Sequence, residues 1–168
     1  MRAFLVAVLL MVLSGPAFAF DEPKALVAAI YAPYQTPGAA ADQDPAQYYS
    51  ERLKGLVSGH AAKAADALLT GDAENAADTG PVAPALSFNP FIDAQHSLLM
   101  DLQISEPIVM KNKAVVTVNF SNFDHATILS LSLVKDPDGW KVDDVASLGE
   151  GENWLLSWLL QYDPFSVN

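Results

Sequence analysis

From Ala114 to Val145 apolar and polar residues alternate. Val116, Val118 and Phe120 share one side of the first run. Leu129, Leu131 and Leu133 share one side of the next, with Ser130 and Ser132 opposite. A side-chain period of two marks a half-buried strand, and one apolar face against one polar face points to antiparallel pairing. Lys111-Asn112-Lys113 reads as a turn, a second turn falls near Asp124-His125, and Asp138-Gly139 carries the strongest hairpin signal, because Gly139 accepts the positive φ that a two-residue loop needs. The return strand, Trp140 to Val145, puts Trp140 and Val142 on one face and Lys141 and Asp143 on the other. Two shorter runs, around Leu102, Ile104, Ile108 and Val109, are broken at Glu106-Pro107.

The N-terminal half has a different period. Leu26, Val27, Ile30, Tyr31 and Tyr34 recur at helical spacing behind Asp21, Glu22 and Pro23, a suitable first turn. Asp44-Pro45-Ala46-Gln47 starts a second predicted helix, with Tyr49, Leu53, Leu56 and Val57 on one face and weak points at Gly55 and Gly59. The Ala-rich run from His60 to Leu69 continues it. Residues 70–87 are polar, rich in Ala, Asp and Gly, and have no period, which predicts an exposed loop. Phe88-Asn89-Pro90-Phe91 is a turn. At the C-terminus, Trp154, Trp158 and Tyr162 fall at i, i+4 spacing, with Leu155 and Leu159 beside them. So apolar a helix is expected to be mostly buried, as a lid on the sheet or part of the core.

The first residues read as an export leader. Arg2 is the basic start, Ala3 to Leu13 the apolar run, Ser14-Gly15-Pro16 the break, and Ala17-Phe18-Ala19 a small-x-small cleavage site. The apolar run is too short for a membrane span of roughly 20 residues. The expectation is a signal peptide over 1–19, a single domain over 20–168, no stable membrane anchor after cleavage, and a location in the periplasm or outside the cell. The sequence contains no cysteine, so disulfides, thiolate metal sites and thiol nucleophiles are excluded, and the fold must be held by a core drawn from 51% hydrophobic residues. The net charge of -11 opposes nucleic acid and anionic lipid as partners and leaves a basic protein or a cationic ligand open.

The order of helices, variable loop, Phe-rich turn and sheet, with Ala29-Ile30-Tyr31-Ala32-Pro33-Tyr34, Tyr49-Ser50-Glu51-Arg52-Leu53, Asn89-Pro90-Phe91-Ile92-Asp93-Ala94-Gln95, Ala114-Val115-Val116-Thr117-Val118 and Gly139-Trp140-Lys141-Val142-Asp143-Asp144, resembles the nuclear transport factor 2-like (cystatin-like) superfamily. It looks most like small bacterial exported proteins that carry a domain of unknown function. The resemblance spans most of residues 20–168. It implies an α+β fold in which N-terminal helices pack on a curved antiparallel sheet to form a cone. It implies no reaction. The apolar C-terminal helix departs from the simplest form of that fold.

Candidate residues follow from both readings. Tyr31, Tyr34, Phe91, Trp140, Trp154 and Trp158 are the candidate ligand-binding walls of an aromatic-lined cone. Asp93 and His96, just after the Phe-Asn-Pro-Phe turn, are a candidate acid–base pair. An Asp capping a short helix is the commoner role for such a residue. Asp144 shares strand parity with Trp140 and Val142, so it is a candidate buried acid if the strand continues through it. His60 and His125 have local structural explanations. No nucleophile elbow, phosphate loop or metal-ligand spacing is present, so neither metal nor cofactor is expected. Three functions remain open: a non-catalytic binding or interaction domain taking a small apolar ligand or a protein, a small acid–base hydrolase or isomerase, and an acidic inhibitor or immunity-type protein for a basic partner. A homodimer through the sheet is a further expectation.

Overall fold

The computed structural model describes residues 19–35, 44–70, 88–149, 151 and 153–162. The leader expected over 1–19 and the loop expected at about 70–87 lie almost wholly outside these residues. Two elements open the described chain: α1, Pro23–Tyr31, and a one-turn 3-10 segment, Ala32–Gln35. The long helix α2, Glu51–Thr70, follows. Five strands come next: β1 Leu99–Ile104, β2 Ile108–Met110, β3 Lys113–Asn122, β4 His125–Asp136 and β5 Gly139–Ser147. The short helix α3, Leu156–Gln161, closes the described residues. The strands form one antiparallel sheet in the order β1-β3-β4-β5, with β2 also paired to β3. The protein is therefore α+β, and β1 and β2 are two pieces of one edge broken at Glu106-Pro107.

The alternation in the sequence is realised as sidedness. Ala114, Val116, Val118 and Phe120 of β3 and Leu129, Leu131 and Leu133 of β4 are buried, and the residues between them are only half-buried. The stripe of α1, Leu26, Val27, Ile30 and Tyr31, belongs to the same core. Aromatic contacts tie the layers together: Tyr31 to Phe120 at 5.9 Å and Phe91 to Tyr49 at 5.9 Å between ring centroids. The Tyr31 hydroxyl is buried without a hydrogen-bond partner among the described residues, and burial pushes its pKa well up.

Asp44 caps as its sequence suggests, accepting from the Ala46 amide at 2.9 Å, but it starts only the 3-10 turn Pro45–Tyr48. The chain then runs extended through Tyr49 and Ser50, where the Ser50 amide donates to the Val142 carbonyl at 2.8 Å. The long helix begins one residue later. The Ser50 hydroxyl accepts from the Leu53 amide at 3.1 Å, the bond a helix cap makes to the third helical residue. Gly55 and Gly59 do not interrupt α2.

The β4–β5 hairpin turns one residue earlier than expected. Asp136 pairs with Gly139, so Pro137 and Asp138 form the loop, and the Asp136 carboxylate accepts from the Asp138 amide at 3.0 Å. Pro137, with φ fixed by its ring, suits the first position of such a loop. The positive φ, +100°, falls on Gly139 at the start of β5. A Cβ there would lie 2.7 Å from the Phe20 carbonyl oxygen and 2.8 Å from its nitrogen. That close approach lets Phe20 accept from the Trp140 amide at 2.8 Å, while the Trp140 indole donates to the Asp21 carbonyl at 3.1 Å.

The C-terminal segment differs from its expected form. Residues 153–155 run extended along β5, with the Ser147 amide donating to the Trp154 carbonyl at 2.9 Å and a bridge between Ala146 and Leu155. The helix then lasts six residues and buries Leu156, Ser157 and Leu160. Trp158 is 48% exposed and stacks on the exposed Tyr162 at 5.5 Å. Leu155 carries the extended segment into the helix, so the sequence stripe of Trp154, Trp158 and Tyr162 is not one helical face. Among the described residues no helix is long and apolar enough to cross a membrane.

Candidate functional site

The aromatic residues proposed as walls separate into three environments. Tyr31, Phe91 and Trp140 are no more than 3% exposed and lie in the core beside Tyr34. Tyr34 accepts from the Asn89 amide nitrogen at 2.7 Å through its hydroxyl. Trp154 is half-buried; its ring packs edge-on against Phe88 at 5.1 Å and its indole donates to Asp93 at 2.8 Å. Trp158 stands on the surface. None of the six lines either of the two pockets described below.

Asp143 and Asp144 owe their placement to a β-bulge. Leu133 pairs with Val142, but Ser132 pairs with Asp144, so Asp143 is an extra residue in β5. One inserted residue reverses strand parity. Val145, not Asp144, is the next buried residue after Val142, which corrects the reading of Asp144 as an inward-facing acid. The two carboxylates instead join three elements. Asp143 accepts from the Ser50 hydroxyl at 2.7 Å and the Arg52 Nε at 2.9 Å. Asp144 accepts from the Ser157 amide at 2.9 Å and from the Ser157 hydroxyl, capping α3, and lies 3.8 Å from the Arg52 guanidinium. Burial alone would raise the Asp143 carboxyl. The bonds from Arg52 and Ser50, with the charge of Arg52, outweigh it and hold the group below its usual range. A shallow pocket of about 260 Å³ lies against this junction, with Ile108, Met110 and Lys113 on its other side.

Asp93 is fixed differently. The Asn89-Pro90-Phe91 turn is closed by the Asn89 side chain accepting from the Phe91 amide at 2.9 Å and by the Asn89 amide donating to the Ala94 carbonyl at 2.9 Å. It delivers Asp93 at φ +52°. One carboxylate oxygen then accepts from the Trp154 indole and the other from the Ser147 hydroxyl at 2.9 Å. Asp93 thus docks the extended 153–155 segment onto the sheet. His96 is exposed, and its carbonyl accepts from the buried Asn122 amide nitrogen at 3.0 Å. No hydrogen bond joins Asp93 to His96 among the described residues. Both line an open pocket of about 690 Å³ between the 92–96 loop, the β3–β4 turn and Ser147, Gly149 and Gly151. The sequence did not single out Phe123 or Thr127, which line that pocket with Asp124 and His125. The signal for Phe123 was its place beside Asp124 at a turn, where a large aromatic is unusual. Asp144 belongs to the other pocket, so the three candidate acid–base groups do not converge. No group of three or more His, Asp or Glu among the described residues is placed to hold a metal ion.

No family model matches the chain, and no curated protein matches it. Among solved structures it is similar to a chain of the type VI native effector-immunity complex Tae3-Tai3 from Ralstonia pickettii. The identity is 16% over 79% of this chain and 100% of that chain, with a TM-score of 0.45. Similarity at that level carries no argument about fold or function.

Proposed function

We propose that this chain is an exported, non-catalytic interaction domain of the acidic inhibitor or immunity type, with a basic protein as its partner. The observation that carries the reading is the closure of the aromatic interior. Tyr31, Phe91 and Trp140 fill the space between helix and sheet, and a filled interior is a poor receptacle for a small apolar ligand. In this reading the architecture is a nuclear transport factor 2-like cone packed with its own side chains. The candidate acids support the same conclusion: Asp93 and Asp144 are each engaged by at least two structural hydrogen bonds. What remains for recognition is the surface. The full chain carries a net charge of -11, which favours encounter with a basic partner. It also displays large apolar side chains, with Ile108 and Met110 each 68% exposed, of the kind protein interfaces cover.

The test is affinity capture on the tagged chain purified from periplasm, followed by native mass spectrometry. The expected outcome is a basic protein retained at low ionic strength and lost at about 0.5 M salt, where the Debye length falls below about 5 Å. A small molecule bound with no protein retained would return the case to ligand binding. A mass of two chains and nothing else would assign the surface to a homodimer.

A further inference from the structure

Four half-buried aspartates lie on or beside the sheet, Asp93, Asp136, Asp143 and Asp144, and the last two have a cation. Asp143 and Asp144 lie 2.9 and 3.8 Å from the Arg52 guanidinium. Asp93 has only neutral donors, Trp154 and Ser147, and no ion pair among the described residues. A carboxylate held partly out of water without countercharge is unfavourable. Asp93 lines the pocket of about 690 Å³, so a cation can reach it from outside.

The far wall of that pocket is the β3–β4 turn, which presents Phe123 and Asp124. Phe123 is 47% exposed and has φ +53°, a conformation that bulky residues adopt rarely and that concentrates at functional sites. Asp93, in the same pocket, has φ +52°, a conformation that Asp adopts more readily. Among the described residues the lining has no Lys and no Arg. Its groups able to carry charge are Asp93, Asp124, His96 and His125. Phosphate or carboxylate ligands have no fixed cation to meet there. An organic cation meets an aromatic face and two carboxylates.

We propose that this pocket receives a basic side chain, the guanidinium of an arginine or the ammonium of a lysine, from the protein partner. The proposal rests on the interaction function above and names the contact that selects a basic partner. The cation packs on the Phe123 ring and is met by the carboxylates of Asp93 and Asp124.

The experiment is a titration of the isotope-labelled chain, without its leader, followed by amide chemical shifts. The probes are N-acetyl-L-argininamide and N-acetyl-L-lysinamide, against N-acetyl-L-glutamate and N-acetylglucosamine. Saturable shifts at Gln95, Phe123 and Asp124 are expected with the cationic probes alone. Phe123→Gly suits the positive φ, so it should fold at least as well while weakening binding about five- to tenfold. Asp124→Asn, at an exposed position, should weaken it similarly. Shifts produced by the sugar or the anion instead, or cationic binding unchanged in both variants, would overturn the proposal. The two readings fail separately. A basic protein that binds both variants at full strength removes the pocket contact and leaves the interaction function. Argininamide bound in the pocket, with no basic protein captured, removes the function and leaves the pocket chemistry.

Discussion

Replacing Gly139 with Ala strikes the point where the hairpin, the start of α1 and the core meet. The native φ of +100° is unfavourable for any residue with a Cβ by about 1–2 kcal/mol. The new methyl group would also lie 2.7 Å from the Phe20 carbonyl oxygen and 2.8 Å from its nitrogen. Backbone atoms cannot rotate out of the way, so Phe20 and Asp21 must move off β5. Two bonds then fail: Trp140 amide to Phe20 carbonyl, and Trp140 indole to Asp21 carbonyl. Losing the first costs about 1 kcal/mol, and stranding a buried indole N–H costs about 1–3 kcal/mol. Together the loss should reach about 3–6 kcal/mol, a fall in Tm of roughly 10–20 °C for a domain of this size. Urea unfolding followed by tryptophan fluorescence measures it, with an unchanged m-value confirming that stability alone has moved. A loss below about 1 kcal/mol for Gly139→Ala would refute the claim that Phe20 is seated on the hairpin.

Two further outcomes follow from polar groups in and around the core. Tyr31→Phe removes a buried hydroxyl that has no partner among the described residues, so it should leave stability unchanged or raise it by about 1 kcal/mol; a loss above about 1 kcal/mol in the same urea assay would show that the hydroxyl is bonded. The Asp143 carboxyl lies below its unfolded value because Arg52 and Ser50 outweigh the effect of burial, so its contribution is present above about pH 4 and is lost as pH falls through the folded value. Arg52→Gln should therefore cost about 1 kcal/mol or less near neutrality, the guanidinium being half-exposed, and the difference should narrow as pH falls below about 4, leaving only the share owed to the Arg52 bond with the Asp143 backbone carbonyl; a difference that does not narrow would refute the assignment.

The sidedness of β3 and β4 was legible because alternation is local: each residue's face depends only on its neighbours two positions away. The same logic failed at Asp144. Nothing in Lys141-Val142-Asp143-Asp144-Val145 marks Asp143 as the extra residue, because the bulge arises from what lies across and beside the strand. Ser132 pairs opposite, and Ser50, Arg52 and Ser157 arrive from two helices to occupy the carboxylates. The C-terminal stripe failed for a related reason. Helical spacing in Trp154, Trp158 and Tyr162 says which residues would share a face if the helix formed from the start. The backbone of 153–155 instead bonds to the edge of β5.

By itself, then, the sequence determined the antiparallel sheet, the α1 stripe, the position of the hairpin to within one residue and the absence of thiol chemistry. These depend on short-range periodicity, turn residues and composition. Only the tertiary structure decided which carboxylates have a cation beside them and which do not, that the aromatic interior is closed, and that Asp93 and Phe123 line one pocket from segments thirty residues apart in sequence. Those outcomes are sums over contacts between distant segments, and no local pattern encodes them.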